Sequence, residues 1–243
     1  MVQLYYMRLD MYLTEHGLAT SRNRAQELVS RGFVFVNNTQ KNKASYHVSE
    51  RDYVEIRGNL NFVSRAGEKL SFALEHFAVD PYGKHVLDIG SSTGGFTDAI
   101  IQKGANSVTA VDVGTNQFNR DLAQHKRIEL HEKTDIRTFD NHKTYDLIVI
   151  DVSFISQKEI IPHLERFSKK GAEVLSLIKP QFEVGKSGLG KNGIVDDLEK
   201  VKGVLGEIVE LYQKHGFLCE YPIEPCPVQG REGNQEYFIY CKK

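Results

Sequence analysis

Residues 86–97, VLDIGSSTGGFT, run from an apolar stretch through an acid into a glycine-rich loop, and then into a helical pattern. A strand, a tight glycine turn and a helix in that order form the first half of a βαβ unit, and parallel strands need such a crossover. The same alternation continues downstream. Strands are expected at residues 85–90, 107–112, 146–151 and 173–178, helices at 94–104 and 198–215, and late strands at 217–222 and 237–241. DLIVID, at 146–151, is apolar almost without a break, as a strand covered on both faces must be. The expected fold is α/β, with a doubly wound, mostly parallel sheet.

Residues 7–58 have a different texture. Leu9, Tyr12 and Leu13 fall at helical spacing within 8–16, and Ser21 is placed to cap a second helix that turns Ala25, Leu28 and Val29 to one side. Gly32 ends that helix, 33–36 is a short strand, Asn37-Asn38 is a turn, and Val48, Tyr53, Val54 and Ile56 suggest further strand. Arg57-Gly58-Asn59 breaks the pattern and sets a boundary near residue 60. The expected division is a small α+β domain at 7–58, a linker at 59–66 and the large domain at 67–243.

Several function classes recede at once. Nothing approaches the ~18 consecutive apolar residues of a membrane helix, and the start, MVQLYYMRLD, has no secretory pattern. The cysteines, Cys219, Cys226 and Cys241, form no metal-ligand spacing and read as the reduced thiols of a cytoplasmic protein. The histidines are scattered, so no metal is expected. With a formal net charge of −1, any nucleic-acid surface must be a local patch.

In a doubly wound sheet the ligand lies beyond the carboxyl ends of the strands. Asp88 sits there, followed by Gly90, Gly94 and Gly95, where backbone can approach a ligand closely. Ser92 occupies the place where the dinucleotide fingerprint needs glycine, which argues against a nicotinamide cofactor. Asp112 ends the next strand, where a carboxylate can accept both ribose hydroxyls, and Asp135 falls in the third strand–loop position, near an adenine. Three acids on successive elements suit S-adenosylmethionine, whose methionyl amine is cationic and which carries no phosphate. GKSGLGKN (185–192) imitates a nucleotide-triphosphate loop, but Asn192 stands where the magnesium-binding hydroxyl belongs. That segment reads as a basic lid using Lys186 and Lys191, or as an ordinary solvated loop.

Asp151 closes DLIVID and is followed by Val-Ser-Phe, without the [DN]PP[FY] pattern that accepts exocyclic amine protons. Lys179 closes the next strand, where a buried ammonium is costly unless paired. The two strands are expected to be neighbours, so Asp151 and Lys179 can meet, either at a reacting centre or as a structural ion pair.

The segments MRLDMYL, SRNRAQELVSRGFVFVN, SRAGEKL, DIGSSTGGFTD, AVDVGTNQF, DVSFIS, IKPQFEVG and GNQEYF together resemble the TlyA, or hemolysin A-like, family over essentially the whole chain. The resemblance implies a seven-stranded FtsJ-like methyltransferase domain behind an αL-type RNA-binding domain. It implies methylation of a cytidine ribose 2′-hydroxyl in ribosomal RNA, with rRNA or a ribosomal subunit as partner. The family's Lys-Asp-Lys-Glu tetrad falls on Lys69, Asp151, Lys179 and Glu236. The implied cofactor contacts are Asp88, Gly90, Ser91, Thr93, Gly94, Gly95, Phe96, Asp112, Val113, Asp135 and Ile136. RNA contacts are expected from Arg8, Arg22, Arg24, Arg31, Lys41, Lys43, Arg65, Lys186 and Lys191. Against the family pattern, Met7 reads as the start, and the short end beyond the last strand points to the large subunit alone. Three other readings remain: a small-molecule O-methyltransferase, a membrane-active hemolysin, and an assembly factor with a vestigial catalytic fold.

Overall fold

The computed structural model describes residues 6–58, 60–185, 188–190, 193–230 and 233–243. The chain divides into two compact units, Met1–Asn61 and Phe62–Lys243.

The first unit holds β1 (Tyr6–Arg8), α1 (Leu9–Glu15), α2 (Arg22–Ser30), β2 (Val34–Val36), β3 (Thr39–Gln40), β4 (His47–Ser49) and β5 (Val54–Ile56). Ser21 caps α2 by accepting from the Arg24 amide at 3.2 Å. Leu9, Leu13, Ala25, Val29, Val34 and Val48 form the core beneath both helices. The segment before α1 pairs with β4 as a strand, a role its sequence did not announce. The run from Val48 to Ile56 is split between two sheets, because β4 pairs with β1 while β5 pairs with β2.

The second unit holds α3 (Arg65–His76), β6 (His85–Ile89), α4 (Gly95–Gln102), β7 (Ser107–Val111), α5 (Arg120–Ala123), β8 (Ile128–His131), β9 (Tyr145–Ile150), β10 (Ser168–Ile178), α6 (Pro180–Glu183), α7 (Leu198–Lys214), β11 (Glu224–Pro225) and β12 (Tyr237–Lys242). Two 3₁₀ turns, Gln157–Glu159 and Ile161–Phe167, lie between β9 and β10. The seven strands lie in the order β11-β12-β10-β9-β6-β7-β8. β6 to β10 are parallel; β12 runs antiparallel to β10, and β11 antiparallel to β12. Strand neighbours alternate between two cores, as the pleat requires. Val86, Leu147 and Leu175 face α3 and α4 residues such as Leu70 and Ile100, whereas Leu87, Ile148 and Ile150 face Ile208 and Tyr212.

Order reverses at β6, which pairs with β7 on one side and β9 on the other. Ile89 lies opposite both Val111 and Ile150, so Gly90, Asp112 and Asp151 leave the sheet side by side. That switch point is where a doubly wound sheet opens its ligand crevice.

Two expectations fail. Residues 217–222 are not a strand: only a Leu218–Lys242 bridge forms, and the edge strand is the two-residue β11. Pro222 and Pro225 cannot donate to a ladder, which confines pairing to a short edge. Nor are all the thiols reduced. Cys219 and Cys241 form a disulfide with Cα atoms 4.2 Å apart, while Cys226 is free and buried. The Leu218–Lys242 bridge sets the two cysteines beside each other across antiparallel backbone, a proximity that a sequence separation of 22 conceals.

Candidate active site at the carboxyl ends of the strands

The loop after β6 turns on glycines that cannot be replaced cheaply. Gly90 has φ +86°, and a Cβ there would lie 2.4 Å from the Asp151 carbonyl oxygen. Gly94 caps α4 with φ +91°. Asp88 is fully buried; its Oδ2 accepts from Thr97 Oγ1 at 2.5 Å and its Oδ1 has no partner. Burial pushes the Asp88 carboxyl up to about 7, against the Thr97 hydrogen bond, and the Asp151 and Asp112 carboxylates push the same way. A cationic ligand group beside Oδ1 would relieve both the missing hydrogen bond and the crowding of negative charge.

Asp112 accepts from the Ser92 amide at 2.8 Å and the Gly114 amide at 2.6 Å, which orients its carboxylate at the rim. The next residue, Val113, is 71% exposed, an apolar side chain left open where a flat ring could lie. Ser91 Oγ is buried without a partner, and Phe96 is packed in the core. Asp135 grips Arg137, whose hydrogen bonds lower its carboxyl below the ordinary range, and Ile136 is buried beside it. An orphaned acid, two left-handed glycines and an exposed apolar residue next to a rim carboxylate fit S-adenosylmethionine.

Beside this loop, Lys179 Nζ lies 2.6 Å from Asp151 Oδ1 and donates to Ser153 Oγ at 2.9 Å. Their side chains are 11% and 15% exposed. The register of β9 with β10 brings the two strand ends together. A second pair, Lys69 and Glu236, meets at 2.5 Å. Lys69 is on α3, and Glu236 lies one residue before β12. α3 can approach because Gly67 and Gly95 face each other; a Cβ on Gly95 would lie 2.8 Å from Ala66 Cβ and 3.0 Å from the Gly67 amide. Asp98 holds the entry to α3 by accepting from the Val63 amide at 2.8 Å.

Other residues around the site carried no readable signal. Phe154 is 91% exposed with φ +64°, an unusual conformation for an aromatic, and its ring centroid lies 5.2 Å from that of Phe182. Glu183 accepts from Ser156 Oγ and from the Gln157 amide. Asn234 is buried and clamps the segment at 193–195, donating to the Gly193 carbonyl and accepting from the Val195 amide. The pairing of an acid or amide with a loop amide has no sequence period, so only the fold exposes these roles.

Of the residues expected to contact RNA, two in the first unit are held on one buried acid. Asp10 is fully buried and accepts from Arg8 Nε and Nη2, from Arg22 Nε at 2.9 Å and from Gln26 Nε2 at 2.8 Å. The Arg8 guanidinium is the main reason its carboxyl stays well below the usual range. Arg8 and Arg22 are fixed side by side, 37% and 55% exposed. Arg24 and Arg31 share Glu27, Lys41 lies over the Tyr46 ring at 4.3 Å, and Lys43 is exposed. In the second unit Arg65 is half-buried at the start of α3, while Lys186 and Lys191 lie outside the described residues.

The FtsJ-like methyltransferase pattern matches residues 62–243 and the S4 domain pattern residues 7–54. The chain is 38% identical over 238 residues to the Bacillus subtilis protein named "Putative rRNA methyltransferase YqxC", covering 96% of this chain and 84% of that one. It is 35% identical over 241 residues to the Mycobacterium tuberculosis "16S/23S rRNA (cytidine-2'-O)-methyltransferase TlyA", covering 97% and 89%. The solved structure of a "Putative hemolysin" from Streptococcus thermophilus superposes with a TM-score of 0.77 at 34% identity, covering 98% of this chain and 88% of that one. Among the described residues, no helix is long and apolar enough to cross a membrane.

Proposed function

Because the chain belongs to the FtsJ-like methyltransferases in their TlyA form, with an S4 domain ahead, we propose that it methylates the 2′-hydroxyl of a cytidine ribose in ribosomal RNA. The observation that carries this reading is the meeting of Lys179 and Asp151 at 2.6 Å beside Gly90, with a second buried pair between Lys69 on α3 and Glu236 ahead of β12.

When bound, S-adenosylmethionine supplies a methyl group on a cationic sulfur. Asp88, Gly90, Ser91, Thr93, Gly94, Gly95 and Phe96 would hold its methionyl end. Asp112 and Val113 would take its ribose and adenine, with Asp135 and Ile136 beyond.

A ribose hydroxyl is a weak nucleophile that must be aligned before it can react, and alignment alone supplies much of a methyl-transfer rate. Lys179 Nζ is the donor placed to orient that hydroxyl and to hold negative charge developing on it, while Asp151 fixes the ammonium. Lys69 and Glu236, paired at 2.5 Å, would complete the tetrad. Phe154 offers an open aromatic face to a base drawn out of RNA structure, the usual partner for unstacked bases. The S4 unit, with Arg8 and Arg22 held on Asp10, would position RNA through its phosphates. Such a substrate places the protein in the cytoplasm.

The deciding experiment compares 2′-O-methyl maps of ribosomal RNA with and without this protein. A cytidine methylated only in its presence is expected; identical maps, with purified protein inert on ribosomal subunits, would overturn the reading. Whether the signal falls in one subunit or both comes from the same maps.

A further inference from the structure

The loop at 151–155 leaves β9 and carries Asp151, Ser153 and Phe154. It is tied to the β10 side at both ends. At its start, Asp151 meets Lys179. At its finish, Ser156 Oγ donates to Glu183 Oε2 at 2.5 Å and the Gln157 amide donates to Glu183 Oε1 at 2.9 Å. Gln157, 1% exposed, then donates from Nε2 to the Leu177 carbonyl at 2.8 Å and accepts from Ser176 Oγ at 2.7 Å. Ser176 is itself paired in register with Ile150, the last residue of β9.

Glu183 is 9% exposed and sits on α6, four residues after Lys179. A carboxylate buried on a hydroxyl and an amide is a costly way to close a loop, since apolar packing would hold the chain at less expense in desolvation. What such a network adds is a single fixed geometry. Phe154 stays outside it, open to solvent in a left-handed conformation, with the Phe182 ring centroid 5.2 Å from its own, on the same short helix as Glu183.

We propose that Glu183, acting through Ser156 and Gln157, is a positioning residue that sets the 151–155 loop and aims Phe154 at the acceptor nucleotide. This rests on the methyl-transfer reading for the identity of the acceptor, though not for the bolt itself. Lys179 and Glu183 then act as the two ends of one brace.

The chain contains no tryptophan, so Phe154→Trp introduces a single fluorescent reporter. In that background Glu183→Ala and Ser156→Ala should both lower the reporter's anisotropy, with Glu183→Gln, which keeps the shape and one acceptor, restoring most of it. With Phe154 intact, Glu183→Ala should lower kcat about 10- to 100-fold and leave the KM for S-adenosylmethionine within about twofold. Combined with Phe154→Ala, it should cost less than the product of the two single losses, because both act on one contact. Ser156→Ala removes the hydroxyl's bond to Glu183 and its cap on the Lys158 amide at 3.1 Å but leaves the Gln157–Glu183 bond, and keeps the test open if Glu183→Ala does not fold. Unchanged anisotropy, or fully multiplicative losses, would overturn the proposal. If anisotropy responds while even the unaltered protein methylates no RNA, the acceptor assignment fails and the positioning of the loop stands.

Discussion

Lys69 and Glu236, separated by 167 positions in the chain, meet at 2.5 Å with side chains 11% and 4% exposed. An ion pair this deep is a poor device for stability alone, because desolvation offsets most of the attraction. Removing one partner is worse, since the other charge is left stranded.

The pair therefore separates folding from chemistry. Glu236→Ala should destabilise the second unit by about 3–5 kcal/mol. The double replacement Lys69→Met with Glu236→Met should recover most of that loss without recovering methylation. Thermal melts and a radiolabelled methyl-transfer assay on the same preparations check this. A double variant that still methylates would remove the pair from the chemistry.

Lys179→Ala addresses the orienting donor. Methylation should fall at least about 100-fold, since a reacting hydroxyl would lose its alignment. Cofactor affinity by calorimetry should stay close to that of the unaltered protein. Full activity with cofactor bound would sink the assignment.

Asp88 predicts a pH dependence with a definite sign. Its carboxyl, raised to about 7 by burial, keeps a proton that the unfolded chain loses near about 3.9. Across that window the folded protein binds more protons, so the ligand-free protein should lose stability as pH rises from about 4 to 7. A cationic ligand favours the ionised form, so cofactor affinity should increase from pH 6 to 8 and binding near neutrality should release protons. Calorimetry in buffers of different ionisation enthalpy measures that release. Asp88→Asn should abolish it, and proton release unchanged in that variant would exclude Asp88 as its source.

In the first unit, charge and arrangement make opposite predictions. Asp10→Ala removes an acid, which by net charge alone should strengthen RNA binding. Because Asp10 holds Arg8, Arg22 and Gln26 together, binding should instead weaken, and by more than for Arg22→Gln. Arg22→Gln should also reduce the slope of log affinity against log salt by about 1. Filter binding across a salt series distinguishes the two.

The parts of the fold visible in the sequence are those with a period or a strand end. DLIVID announces a strand covered on both faces, and its final Asp151 points towards Lys179 because parallel neighbours end together. Lys69 and Glu236 had no such signal; they are joined by the approach of α3 to α4 at Gly67 and Gly95, which local spacing does not encode. Phe154 reads as an ordinary apolar residue until its exposure is seen. Cys219 and Cys241 reveal their partnership only once the Leu218–Lys242 bridge places them. Residues 217–222 misled for the opposite reason: their composition suits a strand, but prolines limit the ladder at that edge.

Gly90 has one more consequence, for inhibitor chemistry. With no side chain at that position, the donor loop and the acceptor loop share a wall at the Asp151 carbonyl, with no room for a methyl group between them. A bisubstrate compound could therefore join an adenosyl fragment to a nucleoside through a very short tether. Resistance by enlarging that wall would be self-defeating, because any side chain at Gly90 collides with the enzyme's own backbone before it reaches the drug.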